Sequence, residues 1–189
     1  MFYILNKIRN FRREETGTVT VEFVIIFPIL TWCILAMASY FDAYRVKIVN
    51  LKSAYTISDM ISREYPTLDQ PYLNGLKTMF DFLVGSNNPT TVRITMVQFE
   101  INDPDDPSDD EHIFKYSAVA GAIPPLTEST LNQIEDSIPI MGDGDSLMIV
   151  ETHMRYEPIF GIGLDDFDMN YLIATRPRPT PPCWETCIN

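Results

Sequence analysis

Glu22 stands at a position that invites a chemical interpretation, because it opens a run of 19 residues, 23–41, without a charged side chain. A carboxylate at the centre of a bilayer costs roughly 2.5–3.5 kcal/mol on insertion scales, and less near the interface. Two interpretations stay open. Either Glu22 lies at the headgroup level and has little effect, or it pairs with a positive group on a neighbouring protein.

The three cysteines form the second candidate group. Cys33 lies inside the uncharged run, whereas Cys183 and Cys187 lie close together near the C-terminus. A close pair plus one isolated cysteine suits a single disulfide, Cys183 to Cys187, in an oxidising compartment. The pair alone cannot form a structural zinc site, because such a site needs two further ligands.

Acidic residues are densest in residues 102–111, which read NDPDDPSDDE. The oxygens of such a loop could converge on calcium, but two prolines interrupt it and the spacing differs from a calcium-binding loop. A solvated connection between two strands and a metal site are therefore both considered, and the connection is favoured. The segment 142–145, GDGD, similarly favours a turn before a strand.

The remaining residue types supply no recognisable catalytic motif. His112 and His153 are the only histidines, and neither has another histidine at ligand spacing. The sequence contains no nucleophile elbow and no phosphate-binding loop, and residues 161–166 fail the dinucleotide pattern at its last position. We therefore expect no enzymatic activity, no cofactor, no bound metal and no small-molecule substrate.

Charge is distributed unevenly along the chain. The net charge is −12, from 26 acidic and 14 basic residues, yet Lys7, Arg9, Arg12 and Arg13 all precede the uncharged run. A basic leader is thus joined to an acidic body. Because an acidic body repels phosphate, the composition argues against nucleic acid as a partner.

The uncharged run predicts a membrane-spanning helix. Nineteen helical residues extend about 28 Å, close to the thickness of the hydrocarbon layer. The positive-inside rule places the basic N-terminus in the cytoplasm and the body outside, since Asp42 follows the run. Pro28 removes one backbone hydrogen bond, which predicts a kink near residues 24–28.

Two other interpretations of the run are weaker. A buried helix of a soluble protein rarely lacks a polar face over five turns. Residues 36–38, Ala-Met-Ala, have the form of a signal-peptidase site, and cleavage there would release the body. Against release, the apolar run is near the upper length of a secretory signal.

The elements that position these residues follow from periodicity. One helix is predicted from Thr18 to Glu64, since Gly and Pro are absent between Pro28 and Pro66. A second helix is predicted over 70–84, capped by Asp69 and ended by Gly85. Strands are predicted over 91–101, 113–119, 147–156 and 171–175, and a short helix around Leu131, Ile134 and Ile138.

This element order predicts an α+β fold, in which a long N-terminal helix packs on a small antiparallel-sheet domain. The alternation in the first strand shifts phase at Val97, which indicates a bulge or burial of both faces. The Pro-rich segment 176–182 is either a stiff solvated end or a docking strap. The predicted divisions are a leader at 1–17, a membrane helix at 18–42, its extension at 43–65, an acidic domain at 66–175, and a tail with the cysteine pair at 176–189.

The N-terminal region resembles the class III signal of type IVb pilins. Residues 17–23 read GTVTVEF and residues 27–28 read FP, after the short basic leader. The pattern is similar to that of TadE/TadF pseudopilins of the tight-adherence pilus, and the resemblance extends to 156–160 (YEPIF), 176–178 (RPR) and 183–187 (CWETC). In that family a prepilin peptidase cuts after glycine, and glutamate followed by phenylalanine stands fifth in the mature chain.

The resemblance implies specific roles for residues of this chain. Cleavage would fall between Gly17 and Thr18, so that Glu22 becomes the fifth mature residue, with Phe23 after it, and the pair would act in assembly. It also implies a single-pass protein of the bacterial inner membrane with a periplasmic domain, and incorporation into the pilus. The implied partners are the membrane, a prepilin peptidase, other pilins and pseudopilins, and the inner-membrane assembly machinery.

A different class of function remains as the alternative. The chain could be an uncleaved membrane-anchored module, unrelated to pili, that binds a partner through its periplasmic domain. Only the pseudopilin interpretation requires cleavage after Gly17. The mature N-terminal residue therefore discriminates between the two.

Overall fold

The computed structural model describes residues 18–85, 89–101, 111–161, 163–178 and 180–185. The described chain falls into two compact units. The first comprises the residues up to Asp42 together with Pro158–Leu164. The second comprises the described residues of Ala43–Glu157 and those from Asp165 onward.

The long helix, α1, spans Thr18–Ser62 and agrees with the predicted range to within two residues. Pro28 is the one proline inside it. The helix closes with tighter backbone bonds, from Arg63 N to Met60 O (3.2 Å) and from Glu64 N to Ile61 O (3.1 Å). The Tyr65-Pro66 sequence follows, as expected where proline disfavours a helical residue before it.

From Ala43 onward α1 presents a face that is buried within the second unit. Much of this face is small or polar rather than large and apolar. Asn50 is fully buried, and its Nδ2 lies 3.7 Å from the Met154 sulfur. The buried residues of the face are Ala43, Asn50, Ser53, Ala54, Ile57, Ser58, Ile61 and Ser62.

The second helix, α2, spans Gln70–Val84, as predicted. Asp69 caps it, since its Oδ1 accepts from Tyr72 N at 2.8 Å. Gly85 ends it in the left-handed conformation, with φ of 63°, where a side chain would be strained. Its buried residues are Leu73, Leu76, Phe80 and Val84.

Four antiparallel strands form the sheet. The strands are β2 (Thr90–Glu100), β3 (Glu111–Ala120), β4 (Ser146–Tyr156) and β5 (Phe167–Thr175). Their order in space is β3-β2-β4-β5, so β2 and β4 are central. The predicted α+β class with an antiparallel sheet is therefore confirmed.

The phase shift predicted at Val97 is present in the sheet. The pairing of β2 with β3 changes register between Met96 and Val97. Both residues are buried, as are Ile94 and Thr95, because β2 is covered on both faces. The extra residue, Lys115, lies on β3, and β2 pairs with β4 without a break, so burial of both faces accounts for the consecutive apolar residues of β2.

Two predicted elements differ from the structure. The short helix is one 3₁₀ turn, Glu128–Thr130, followed by one α-helical turn, α3, at Asn132–Glu135. Strand β5 begins at Phe167 rather than at Tyr171. The prediction began too late because Asp168 and Asn170 are residue types that are uncommon in strands, and here they lie on the exposed face.

The Pro-rich tail is docked on the body. Cys183–Trp184 forms strand β6, which pairs in parallel with β1 at Thr67–Leu68. Pro182 is buried, and its carbonyl accepts from the Tyr116 hydroxyl at 3.0 Å. Of the two readings of this segment, the docking strap is the one observed.

Candidate functional site

The first half of α1 displays an uninterrupted apolar surface. Its most apolar 18-residue window has no buried residue, and it is the one helix among the described residues that is long and apolar enough to cross a membrane. Between Val19 and Phe41 the large side chains are mostly exposed by more than half, for example Phe23 at 63% and Phe41 at 71%. In water such a surface would be unfavourable, because its apolar area stays hydrated.

Glu22 lies within this exposed apolar surface and is itself exposed. It stands four residues after Thr18, the first residue of α1, so the two positions share one helix face. Phe23 stacks on Phe27 with ring centroids 5.3 Å apart and an interplanar angle of 28°. The predicted cleavage residue Gly17 lies outside the described residues.

Pro28 is contained within α1, which continues through it. Proline has no N–H, so the carbonyl four residues earlier loses its helical donor. A different carbonyl, Phe27 O, accepts a hydrogen bond from the Thr31 hydroxyl at 2.8 Å. The kink predicted here stays a prediction.

The loop Pro158–Leu164, which belongs to the first unit, is hydrogen-bonded to the C-terminal end of the apolar segment of α1. Ser39 Oγ donates to Phe160 O at 3.4 Å, and Tyr40 OH donates to Gly163 O at 2.9 Å. Ser39 is 2% exposed, whereas Ile159 at the loop tip is 73% exposed. The sequence did not predict this contact, although residues 156–160 are part of the family resemblance.

Two acidic segments of the body were candidates, and the structure describes one of them, 142–145. Residues 102–110 lie outside the described residues, so the calcium question stays open. Segment 142–145 is a turn, as predicted, with Asp145 N donating to Gly142 O at 3.0 Å. In the described ranges, no three His, Cys, Asp or Glu side chains cluster in a way that could hold a metal ion.

A small cavity of about 270 Å³ lies at one end of the sheet, lined in part by His153, Arg155, Asp168 and Asn170. His153 Nδ1 lies 3.0 Å from Asn170 Oδ1. Within the described part of the chain, His153 Nε2 is buried and has no hydrogen-bond partner. Asn170 is neither an acid nor a nucleophile, so this pair makes no catalytic dyad.

Several partly buried polar groups of the body have hydrogen-bond partners within the fold. Arg93 Nε and Nη2 each donate to a Glu151 carboxylate oxygen at 2.7 Å, and this pair is nearly buried. Burial, together with a hydrogen bond to the Glu64 carboxylate and its charge, raises the pKa of Tyr72 from 10.0 to about 12. Burial also raises the pKa of Tyr116, whose hydroxyl donates to the tail.

The cysteines differ in state. Cys183 is disulfide-bonded, whereas Cys33 on the exposed apolar segment is free. The partner predicted for Cys183, Cys187, lies outside the described residues, so the pairing stays a prediction.

Of the residues singled out in the sequence, Thr18, Glu22, Phe23 and Pro28 lie together on the first half of α1. Cys183 lies in the docked tail. The structure therefore defines the candidate site as the exposed apolar segment of α1 with its single carboxylate. Comparisons of the chain with protein-family models, with curated proteins and with solved structures find no match.

Proposed function

We propose that this chain is a minor pilin, or pseudopilin, of a tight-adherence pilus, and that it assembles with other subunits through the first half of α1. The observation that carries the proposal is the exposed apolar surface of that segment, interrupted by one carboxylate, Glu22. A helix that only anchored a domain would need the apolar surface but not the carboxylate. Once other helices pack around it and exclude water, that carboxylate is unfavourable unless it is paired.

The proposed mechanism begins with removal of the basic leader. Cleavage after Gly17 exposes a positive amine on Thr18, the first residue of α1. The amine of one subunit then meets Glu22 of an adjacent subunit. An ion pair in a low-dielectric environment is favourable only when its geometry is good, so pairing would select one axial register as the helices bundle.

The proposed topology places the body in the periplasm of a bacterium. Four basic residues precede the apolar segment and Asp42 follows it, which by the positive-inside rule keeps the N-terminus cytoplasmic. The states of the cysteines support this arrangement, because Cys183 on the body is disulfide-bonded and Cys33 in the apolar segment is free. The acidic body then faces outward as the subunit enters the pilus.

The proposed partners follow from the mechanism. They are the membrane, a prepilin peptidase, other pilins and pseudopilins of the tight-adherence system, and its inner-membrane assembly machinery. The net charge of −12 makes nucleic acid an unfavourable partner. The expectation of no enzymatic activity belongs to the same proposal.

An exchange of the anchor tests the proposal against a merely tethered module. In cells that lack the native gene, the wild-type chain should restore surface pili. A chain in which residues 18–42 are replaced by an unrelated membrane helix of equal length should reach the membrane in equal amounts and restore none. Full piliation by the exchanged chain would show that the body acts alone and would contradict the proposal.

A further inference from the structure

The segment Pro158–Leu164 forms part of the first unit, together with the apolar half of α1. We propose that this loop is a second membrane-contacting element, which inserts its Ile159 and Phe160 side chains at the boundary between acyl chains and headgroups. The inference rests on the proposed membrane anchoring and goes beyond it, because the helix alone would suffice for an anchor.

The depth of the loop follows from where it is fastened. Ser39 and Tyr40 hold it, at 3.4 and 2.9 Å, and they lie seven and eight residues beyond Trp32, the midpoint of the uncharged run. At a rise of about 1.5 Å per residue this is about 11–12 Å from the midpoint. Half the hydrocarbon thickness is about 15 Å. The attachment points therefore fall just inside the acyl boundary.

The side chains of the loop suit that depth. Ile159 is 73% exposed and Phe160 is 42% exposed, and both project apolar surface beside an apolar helix. Tyr40 is 53% exposed, and tyrosine is enriched at the membrane interface because its ring is apolar and its hydroxyl polar. Glu157, Asp165 and Asp166 flank the loop in the sequence and limit how deep it can lie.

The hydrogen bonds of the loop lower the cost of insertion. A backbone carbonyl without a donor is costly near hydrocarbon, where water is scarce. Phe160 O accepts from Ser39 and Gly163 O accepts from Tyr40, so side chains of the helix satisfy two carbonyls of the loop. Gly163 has a φ of 72°, a conformation that favours glycine over other residues.

Fluorescence quenching in proteoliposomes tests the inference on the full chain. An environment-sensitive fluorescent amino acid is introduced at position 159, at position 34 in the helix, or at position 140, where Ile140 is fully exposed on the body. Vesicles of neutral phospholipid carry a nitroxide near the top of the acyl chain. We expect position 159 to lose most of its emission, position 34 to be quenched as a membrane reference, and position 140 to keep its emission.

Each other outcome has a distinct meaning. If position 34 is not quenched, the anchoring fails and this inference fails with it. If position 34 is quenched but position 159 responds instead to aqueous iodide, the loop lies in water and the inference alone is wrong. If position 159 escapes both quenchers, a second copy covers it and the inference is again wrong. Quenching of position 140 as well would show that the body lies on the membrane without a specific role for the loop.

A positioning variant separates the hydrogen bond from simple proximity. Tyr40→Phe removes the donor to Gly163 O but keeps the ring. We expect this variant to reduce quenching at position 159 and to leave position 34 unchanged. Unchanged quenching at both positions would show that Tyr40 does not hold the loop at this depth.

Discussion

At the scale of single residues, the proposed function depends on Glu22, an exposed carboxylate in an apolar surface. We predict that Glu22→Gln inserts into the membrane as well as wild type, because an amide is cheaper to bury than a carboxylate. The variant should fail to support pili, whereas Glu22→Asp, which keeps the charge, should retain part of the assembly. Cell fractionation and pilus counts check both results, and wild-type piliation by Glu22→Gln would rule out selection of register by charge.

A second residue-scale prediction concerns the nearly buried pair of Arg93 with Glu151. Removing one partner leaves the other charge buried, so Arg93→Met should lower the free energy of unfolding by roughly 3–5 kcal/mol. Arg63→Met, which removes an exposed partner of Asp59, should lower it by about 1 kcal/mol or less. Urea unfolding in detergent, followed by Trp184 fluorescence, measures both losses, and equal losses would contradict the assigned burial.

The pH dependence of stability provides a third test. The pKa of Tyr72 is raised from 10.0 to about 12, so the folded state holds this proton more tightly than the unfolded state. The stabilisation is complete below pH 10 and is lost as the pH rises through about 12. Urea midpoints between pH 8 and 12 should fall less steeply for Tyr72→Phe than for wild type. Tyr55→Phe, at an exposed position, should leave the slope unchanged, and identical slopes in all three proteins would refute the prediction.

At the scale of elements, the sequence was informative wherever a periodic pattern was long. Helix α2 was predicted to the residue, because Asp69 and Gly85 mark its ends by specific backbone chemistry. The change of alternation at Val97 indicated a bulge or burial of both faces, and in the structure β2 is buried on both faces opposite a register shift in β3. These features are local, and local propensities determine them.

Elements that depend on distant contacts were not predicted. The two-residue strands β1 and β6 are too short to carry a pattern, and they pair across 116 positions from Thr67 to Cys183. The attachment of Ser39 and Tyr40 to the loop also joins residues far apart in the sequence. Of the candidate site, the sequence therefore predicted the apolar helix and Glu22, but not the loop beside it.

The tail is the element whose covalent state is directly testable. We predict a disulfide between Cys183 and Cys187, because the two lie close together in the sequence and the body is proposed to face an oxidising compartment. The ring is small, so by loop-entropy reasoning the bond adds about 2 kcal/mol or less. Mass spectrometry of unreduced tail peptides should show the two cysteines linked within one chain. A bond between two chains, or two free thiols in exported protein, would contradict the assignment.

At the scale of the whole molecule, the chain combines an apolar helix segment with an acidic body. The acidic residues outnumber the basic ones by 26 to 14, although the leader is basic. The proposed removal of the leader would make the chain more acidic and leave its apolar segment intact. The processed protein is then suited to remain in the membrane until other helices replace the lipid around α1.

The central claim is that this processing occurs, and the identity of the mature N-terminal residue tests it most directly. The protein is purified from the membrane fraction of cells that carry a matching prepilin peptidase, and its N-terminus is read by Edman degradation or mass spectrometry. The account predicts a chain that begins at Thr18 and remains in the membrane. A chain that begins at Met1, as for an uncleaved anchor, or at Ser39, as after signal-peptidase cleavage, would contradict it.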